Sequence, residues 1–422
     1  MTLQRAWVLV VGAVSLIAIG LSAMNALNRE TATFWQILGV VSLVGLVAAV
    51  RGAYSGKDPV LQVVEGSTAH RGWQIGGWGI FAFFVLITPY VLDGFRVQQI
   101  NKGLYFAVAV LGINLVIGYS GLISLGHGAF MGMGAFLAVI LVEDAGMPIW
   151  ATLLVIIPAT FVAGVIIGIP ALRIRGLYLA LVTLALSYTF PILLKIHEFG
   201  IAQRTGGDLG RAISRENQVV PGSLKGVLFL NGRDAPDQEH IYKYWIFVVV
   251  TAICFLIVRN VIRSRPGRAV IAIKENQIGA AVSGVPLTSY KVITFGLSAV
   301  FAGVGGWMYA LMLSEANPNG FGPIIAISLL LALVLGGVYT LPGALVGGIV
   351  FVLLDDIRTR VTLTSIFGWE PSFFQIEKGS PLTQGVLGIA LIIIAFFAPG
   401  GIVSIARQVR ARVIRVIPQP PK

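Results

Sequence analysis

The chain has 422 residues, 56% of them hydrophobic and only 11% charged, with a mean hydropathy of +0.88, whereas a soluble domain carries roughly 25% charged residues. This excludes a soluble globular enzyme and makes the length a count of membrane segments. The net charge of +12 would suit a nucleic-acid binder, but the basic residues sit in short loops and at the C-terminus (Arg407, Arg410, Arg412, Arg415, Lys422), where topology and anionic lipid account for them. No nucleic-acid partner is expected.

A charge at a helix centre costs roughly 2.5 to 3.5 kcal/mol on the insertion scale, so long charge-free runs read almost directly as spans. The first run, residues 7–24 after Arg5, exceeds the usual h-region of a signal peptide and has no A-x-A site behind it, which makes it an uncleaved span. Further spans are expected at 34–50, 73–92, 104–117, 122–142, 149–170, 177–194, 245–262 and 292–313, each near the length that a bilayer demands. Residues 324–354 are too long for one ordinary span and are interrupted by Gly336-Gly337 and by Thr340-Leu341-Pro342-Gly343. Read as one span, they would put the basic stretch around Arg268 and the basic C-terminus on opposite sides, against the positive-inside rule. Two short spans joined by a cytoplasmic turn are therefore expected, then a last span at 385–403.

The expected fold is an all-α polytopic transmembrane bundle of about 10–12 segments with both termini cytoplasmic. Tyr119-Ser120-Gly121 leaves almost no loop between the fourth and fifth segments, so one of them is expected to be broken, interfacial or re-entrant. Arg51, Lys57, Arg71, Arg173 and Arg175 fall inside, and the acidic Glu143-Asp144 outside. Residues 195–244 also fall outside. They hold several basic residues, but long loops translocate largely regardless of charge.

The stretch 259–291 is the most patterned part of the chain. It carries Arg259, Arg263, Arg265, Arg268, Lys274 and Lys291 against one acid, Glu275, which places it in the cytoplasm. Ser264 is the N-cap of a first short helix with Pro266 in its opening turn, and the polar step Lys274-Glu275-Asn276-Gln277 interrupts it. Asn276 caps a second helix that Gly284 and Pro286 end. Two short helices at a membrane surface suggest a docking site; the plainer alternative is an interfacial helix resting on lipid headgroups.

Gly267-Arg268-Ala269, Ala272-Ile273-Lys274-Glu275-Asn276, Ala280-Ala281, Ser283-Gly284-Val285, Lys291 and Phe295-x-x-Ser298-Ala299-x-x-Ala302-Gly303 closely resemble the cytoplasmic coupling segment of bacterial ABC importer permeases for branched-chain amino acids. Arg173-x-Arg175-Gly176-Leu177 through Ala185, Leu335-Gly336-Gly337 and Pro342 through Gly348 resemble further blocks of that family, the first of them the larger, second permease of the heterodimer. The resemblance runs from about Leu104 to Gly401. It implies an N-terminal extension at 1–100 with about three membrane segments, a permease core at 101–405 and a basic cytoplasmic tail at 406–422. It also implies a bacterial inner-membrane location, a homologous second permease, two ABC ATPases and a periplasmic substrate-binding protein. Gly267, Arg268, Ala272, Lys274, Glu275, Asn276, Ala280 and Gly284 would then couple to the ATPase. ATP and magnesium would be used by those partners, with no cofactor bound by this chain.

Residues 118–136 place Gly118, Gly121, Gly126, Gly128, Gly132 and Gly134 at membrane depth, where a glycine costs about 1 kcal/mol relative to alanine in a helix. Gly128-x-x-x-Gly132, Gly164-x-x-x-Gly168, Ala302-x-x-x-Gly306 and Gly343-x-x-x-Gly347 are small-residue faces for close helix crossings. The glycine-rich stretch also resembles a family segment near the translocation route, so Ser124, His127, Gly128, Gly132 and Gly134 are pathway or packing candidates. An intramembrane serine hydrolase built on Ser124 and His127 is rejected, because Gly-x-x-Ser-x-Gly is not a nucleophile elbow and no acid accompanies it. Gly52 through Asp58 fails as a phosphate loop, having too few residues between its glycines and Asp58 where Ser or Thr binds magnesium. The lone Cys254 offers neither a disulfide nor a cysteine metal site.

No catalytic or metal-binding residue is expected. The rival substrate is urea or a short amide; the rival class, an ion-coupled secondary transporter, lacks a charged residue at a span centre. The topology is testable by labelling: a cysteine at Asn231 is expected to react from the periplasm, and cysteines at Gln277 and Tyr339 only from the cytoplasm. Labelling of the Tyr339 site from outside would overturn the two-span reading of 324–354.

Overall fold

The computed structural model describes residues 61–64, 85–92, 94–171, 177–198, 200–214, 235–360, 400–404, 407 and 414–417. The expected spans at 7–24 and 34–50, most of those at 73–92 and 385–403, Arg173 and Arg175, and most of the extension and tail lie outside them. Two units are distinguished. The smaller comprises residues 1–81, 357–386 and 405–422, and contains a parallel pair of strands, β1 (Leu61–Val64) with β4 (Ile414–Ile417).

The larger unit is helical. In order it contains α1 (Gly94–Ile113), a π-helical continuation (Asn114–Tyr119), α2 (His127–Glu143), α3 (Leu153–Ala171), α4 (Leu177–Leu193) and the short α5 (Ile201–Thr205). Then come β2 (Arg211–Ala212), α6 (Ala235–Arg263), α7 (Arg265–Glu275), α8 (Gln277–Val282), α9 (Leu287–Leu313), β3 (Glu315–Ala316), α10 (Pro323–Gly336) and α11 (Leu341–Arg360). Among the described residues, Gly94–Tyr119, Gln238–Arg263 and Leu287–Leu313 are long and apolar enough to cross a membrane. Pro323–Gly336 and Leu341–Leu354 form a pair bent by 120° at their break. The chain is a multi-pass membrane protein.

α9 is the hub, packed against α1, α2 and α3, and its residues are buried almost continuously from Thr294 to Met312. Small residues make this possible. A Cβ on Gly134 would overlap the Gly303 carbonyl oxygen, one on Gly306 would overlap that of Met131, and one on Gly112 would lie 2.6 Å from that of Ser298. Of the predicted small-residue pairs, Gly164 meets Ala299 and Gly296 at similar range, while Gly168 sees only ordinary contacts with Phe295. Gly347 abuts the Ala332 carbonyl across the bent pair.

Three predicted spans need correction. The segment 104–117 is part of a longer element that starts at Gly94, because Asn101 before Leu104 is held inside the bundle: it is fully buried and its Nδ2 donates to the His240 carbonyl at 3.1 Å, while its Oδ1 has no partner among the described residues. The segment 245–262 likewise extends back to Ala235. There Lys243 is buried but paired with Glu239 at 2.5 Å, and it reaches Ser314 Oγ at 3.3 Å. The segment 122–142 is helical only from His127, so the crowding at Tyr119-Ser120-Gly121 is relieved by a non-helical stretch, residues 121–126.

At the Glu143–Asp144 end of the bundle, Arg211 pairs with Asp144 and donates to the Arg204 carbonyl at 2.8 Å. Glu143 accepts from the Ser214 N–H at 2.9 Å, and Lys195 pairs with Asp208 at 2.6 Å. The Arg211 guanidinium holds the Asp144 carboxyl below the usual carboxylate range, chiefly through the hydrogen bond. These contacts, with β2 antiparallel to β3, tie residues 195–214 to the ends of α2 and α9.

The glycine contacts rank the substitutions. At Gly128 and Gly132 the nearest atoms belong to the side chains of Ile325 and Phe190, which can shift, whereas at Gly134 they belong to the Gly303 backbone. Gly134→Ala is therefore expected to lower the thermal unfolding midpoint in detergent more than Gly128→Ala, with a destabilisation of about 1–3 kcal/mol or more. Gly128→Leu and Gly132→Leu are expected to abolish uptake. Equal midpoints for the two alanine variants would contradict this ranking.

Candidate functional site

Two breaks in the helical backbone lie inside the larger unit, and side chains from neighbouring helices satisfy each. The first spans Gly121 to Gly126, between the π-helix and α2. The Leu125 N–H donates to Thr183 Oγ1 at 2.9 Å, and its carbonyl accepts from Ser187 Oγ at 2.8 Å. Thr183 and Ser187 are one turn apart on α4, hence on one face, and both are fully buried. A Cβ on Gly126 would touch Thr183 at 3.2 Å, so the approach depends on that glycine.

His127 opens α2 and is fully buried. Its Nε2 lies 3.3 Å from Ser298 Oγ and its Nδ1 3.4 Å from Ser124 Oγ. Ser298 Oγ donates to the Phe295 carbonyl at 2.6 Å, so it accepts from His127, which assigns the proton to Nε2 and leaves Nδ1 to accept from Ser124. Phe130 and Phe295 surround the ring. Ser298 stands about 16 Å along α9 from Leu287 at 1.5 Å per residue, so the imidazole clasps α2 to α9 deep in the bundle. Both ring nitrogens are met by serine hydroxyls, and the arrangement is a polar clasp between α2 and α9.

The second break is the turn between α10 and α11, where Tyr339 has φ of 67°. Asn114, at the transition from α1 to the π-helix, is fully buried. Its Oδ1 accepts from the Tyr339 N–H at 3.1 Å and its Nδ2 donates to the Thr340 carbonyl at 2.9 Å. Thr340 caps α11 by accepting from the Gly343 N–H at 3.1 Å. A Cβ on Gly118 would collide with Asn114 Oδ1, so the glycine leaves room for the reach of Asn114.

At the end of the molecule where the α10–α11 turn lies are α7 and α8, with the predicted caps in place. Ser264 accepts from the Gly267 N–H at 3.4 Å, and Asn276 from the Gly279 N–H at 2.9 Å. Gly284, with φ of 79°, closes α8 before Pro286. Gly267, Val270, Ile273 and Ala280 are buried, which anchors the pair. Arg268, Ala272, Glu275 and Gly284 are exposed; the Arg268 guanidinium donates to the Arg263 carbonyl at 2.8 Å. Ile278 and Val282 are 78% and 85% exposed, an apolar pair on one face of α8. Lys274 is exposed as well, but its amine turns toward the bundle: it donates to the Gly118 carbonyl at 2.6 Å and lies 4.3 Å from the centre of the Tyr339 ring. Among the described residues no group of His, Cys, Asp and Glu is arranged to hold a metal.

The sequence reading missed Asn114 and Ser187, and it met Thr183 only within a family block and Thr340 only as part of an interruption, without a role for either. Each is a small polar residue within an apolar run, a signal too common in membrane helices to single them out without the break that each satisfies.

Residues 96–396 match the family described as branched-chain amino acid transport system / permease component. The chain belongs to this family. It is 28% identical over 298 residues to the high-affinity branched-chain amino acid transport system permease protein LivM of Salmonella typhimurium, covering 67% of each chain. Identity to LivM of Escherichia coli is 26% over 339 residues, 77% of this chain and 76% of that one. LivH of Escherichia coli, of the same description, is 22% identical over 272 residues, 63% of this chain and 85% of the relative. No solved structure matches.

The clasp on Leu125 can be tested by its loss. Thr183→Val removes the acceptor for a buried N–H while keeping shape, at an expected cost of roughly 1–3 kcal/mol. Combined with Ser187→Ala it is expected to cost less than the sum of the two, since either change already frees the segment. Thermal unfolding in detergent measures both, and full additivity with wild-type uptake would argue that the two residues do not act on one element.

Proposed function

We propose that this chain is one of two permease subunits of an ATP-binding-cassette importer and that the pair carries branched-chain amino acids across a bacterial inner membrane into the cytoplasm. A periplasmic binding protein delivers substrate to the outer end, near residues 195–214. Two separate ATPase chains, using ATP and magnesium, drive the cycle from the other end, so this chain carries no catalytic residue and both its termini lie in the cytoplasm. Family membership and the names of the LivM relatives support the class and the substrate.

The observation that carries the reading is the α7–α8 pair. It is anchored by buried Val270, Ile273 and Ala280 and presents Glu275, Ile278 and Val282 outward. A rigid-body push needs such a surface, fixed on one side and free on the other. Asn276 already uses its carbonyl oxygen to cap α8, which leaves Glu275 as the charged contact for an ATPase. Gly267, Arg268, Ala272, Ala280 and Gly284 shape the pair and its return to the membrane, while Ser124, His127, Gly128, Gly132 and Gly134 hold α2 and the break before it.

Glu275→Arg tests this in the complete reconstituted importer. Substrate-stimulated ATP hydrolysis and uptake are expected to fall at least about fivefold, the low end of ordinary coupling, while membrane insertion and substrate capture by the binding protein persist. If the segment merely rests on lipid, an added positive charge is neutral or favourable by about 1 kcal/mol, and unchanged hydrolysis and uptake would falsify the assignment. Direct binding of leucine, isoleucine and valine to the secreted partner checks the substrate.

A further inference from the structure

Lys274 lies on the last turn of α7, inside the segment assigned to the ATPase contact, yet its amine faces the bundle. It donates to the Gly118 carbonyl at 2.6 Å. Gly118 belongs to the last turn of the π-helix, where the helix dipole presents its negative end; the Leu115 and Val116 carbonyls are met by the Ser120 and Leu122 N–H groups, and that of Gly118 is met by Lys274. An ammonium is the natural complement there. The same amine sits 4.3 Å from the centre of the Tyr339 ring, which packs on Tyr119 with ring centres 4.7 Å apart. The side-chain stem runs past Gly121, where a Cβ would lie 3.0 Å from Lys274 Cγ.

One side chain therefore contacts three departures from regular helix: the end of the π-helix, the first residue of the Gly121–Gly126 break, and the α10–α11 turn. Asn114 joins the first and third independently, through the Tyr339 N–H and the Thr340 carbonyl. Non-helical segments can change backbone angles without breaking a helix, and they are where small displacements are absorbed. The remaining α7–α8 anchors, Val270, Ile273 and Ala280, are apolar contacts without such directional bonds.

We propose that Lys274 is a positioning residue for transport: it carries displacement of the α7–α8 pair into the two broken membrane segments and is not itself a contact to the ATPase. This rests on the importer reading above. It differs in what it predicts, because loss of an ATPase contact weakens assembly, whereas loss of Lys274 leaves assembly intact and uncouples hydrolysis from movement.

The test uses the complete importer in proteoliposomes with its binding protein, radiolabelled leucine as substrate, and three readouts: co-purification of the ATPases, ATP hydrolysis, and leucine moved per ATP. For Lys274→Met, co-purification and hydrolysis are expected to stay near wild type while leucine per ATP falls by about tenfold, within the usual range of coupling factors. Lys274→Arg, whose guanidinium can still donate to the carbonyl and stack on the ring, is expected to recover most of the ratio. Tyr339→Leu, which removes the ring but leaves the Gly118 bond, is expected to lower the ratio less. Adding it to Lys274→Met should cost nothing further, as for residues acting on one element. An unchanged leucine-per-ATP ratio in Lys274→Met overturns the proposal, as does loss of ATPase co-purification in parallel with uptake. If Lys274→Met does not insert, Tyr339→Leu decides alone, and a wild-type ratio there is equally fatal. A wild-type complex without leucine-stimulated hydrolysis would instead remove the importer reading itself.

Discussion

A peptide group inside hydrocarbon has no water to bond, and each unsatisfied N–H or C=O there costs several kcal/mol. Much of this molecule follows from that constraint, because its backbone leaves the helix twice within the bundle. At Leu125 the missing partners come from Thr183 and Ser187 on α4; at Tyr339 and Thr340 they come from Asn114 at the end of α1. Neither break could exist without its neighbour. The positions of α4 and of the end of α1 are consequently set by hydrogen bonding as much as by apolar packing.

Between the breaks stands α9. Its glycines and alanines bring α2 and α3 to backbone contact, and glycines at 112 and 305 do the same where it meets α1. Dispersion gains in such crossings are collectively large, and packed interfaces shift as blocks rather than deform smoothly. The His127–Ser298 bond adds direction to the α2–α9 contact. α9 begins directly after α8 and Pro286, so the hub of the bundle is covalently continuous with the exposed pair at its foot.

Two lysines close helix ends from outside the helices they serve. Lys243 on α6 reaches the Met312 carbonyl and Ser314 Oγ at the end of α9, and Lys274 on α7 reaches Gly118 at the end of the π-helix. A four-carbon stem lets a cation cross to a neighbouring helix and meet the negative end of its dipole. The two sites differ in setting. Lys243 is balanced by Glu239 one turn away, while Lys274 relies on a carbonyl and an aromatic face.

The sequence by itself determined the membrane class, the apolar segments within the described residues and the α7–α8 pair with its caps, because hydropathy, capping and helix stops are local properties of a few neighbouring residues. The family, too, was legible in the short blocks around Gly267, Gly336 and Pro342. Only the tertiary structure decided where α1 and α6 begin, since Asn101 and Lys243 read as boundary residues until the Asn101 amide is seen to donate to the His240 carbonyl and Lys243 to pair with Glu239. It also decided that residues 121–126 leave the helix and that Lys274 turns inward. Those outcomes depend on partners far away in the chain, Thr183 for Leu125 and Gly118 for Lys274, and a hydrogen bond between distant segments leaves no periodicity in either one.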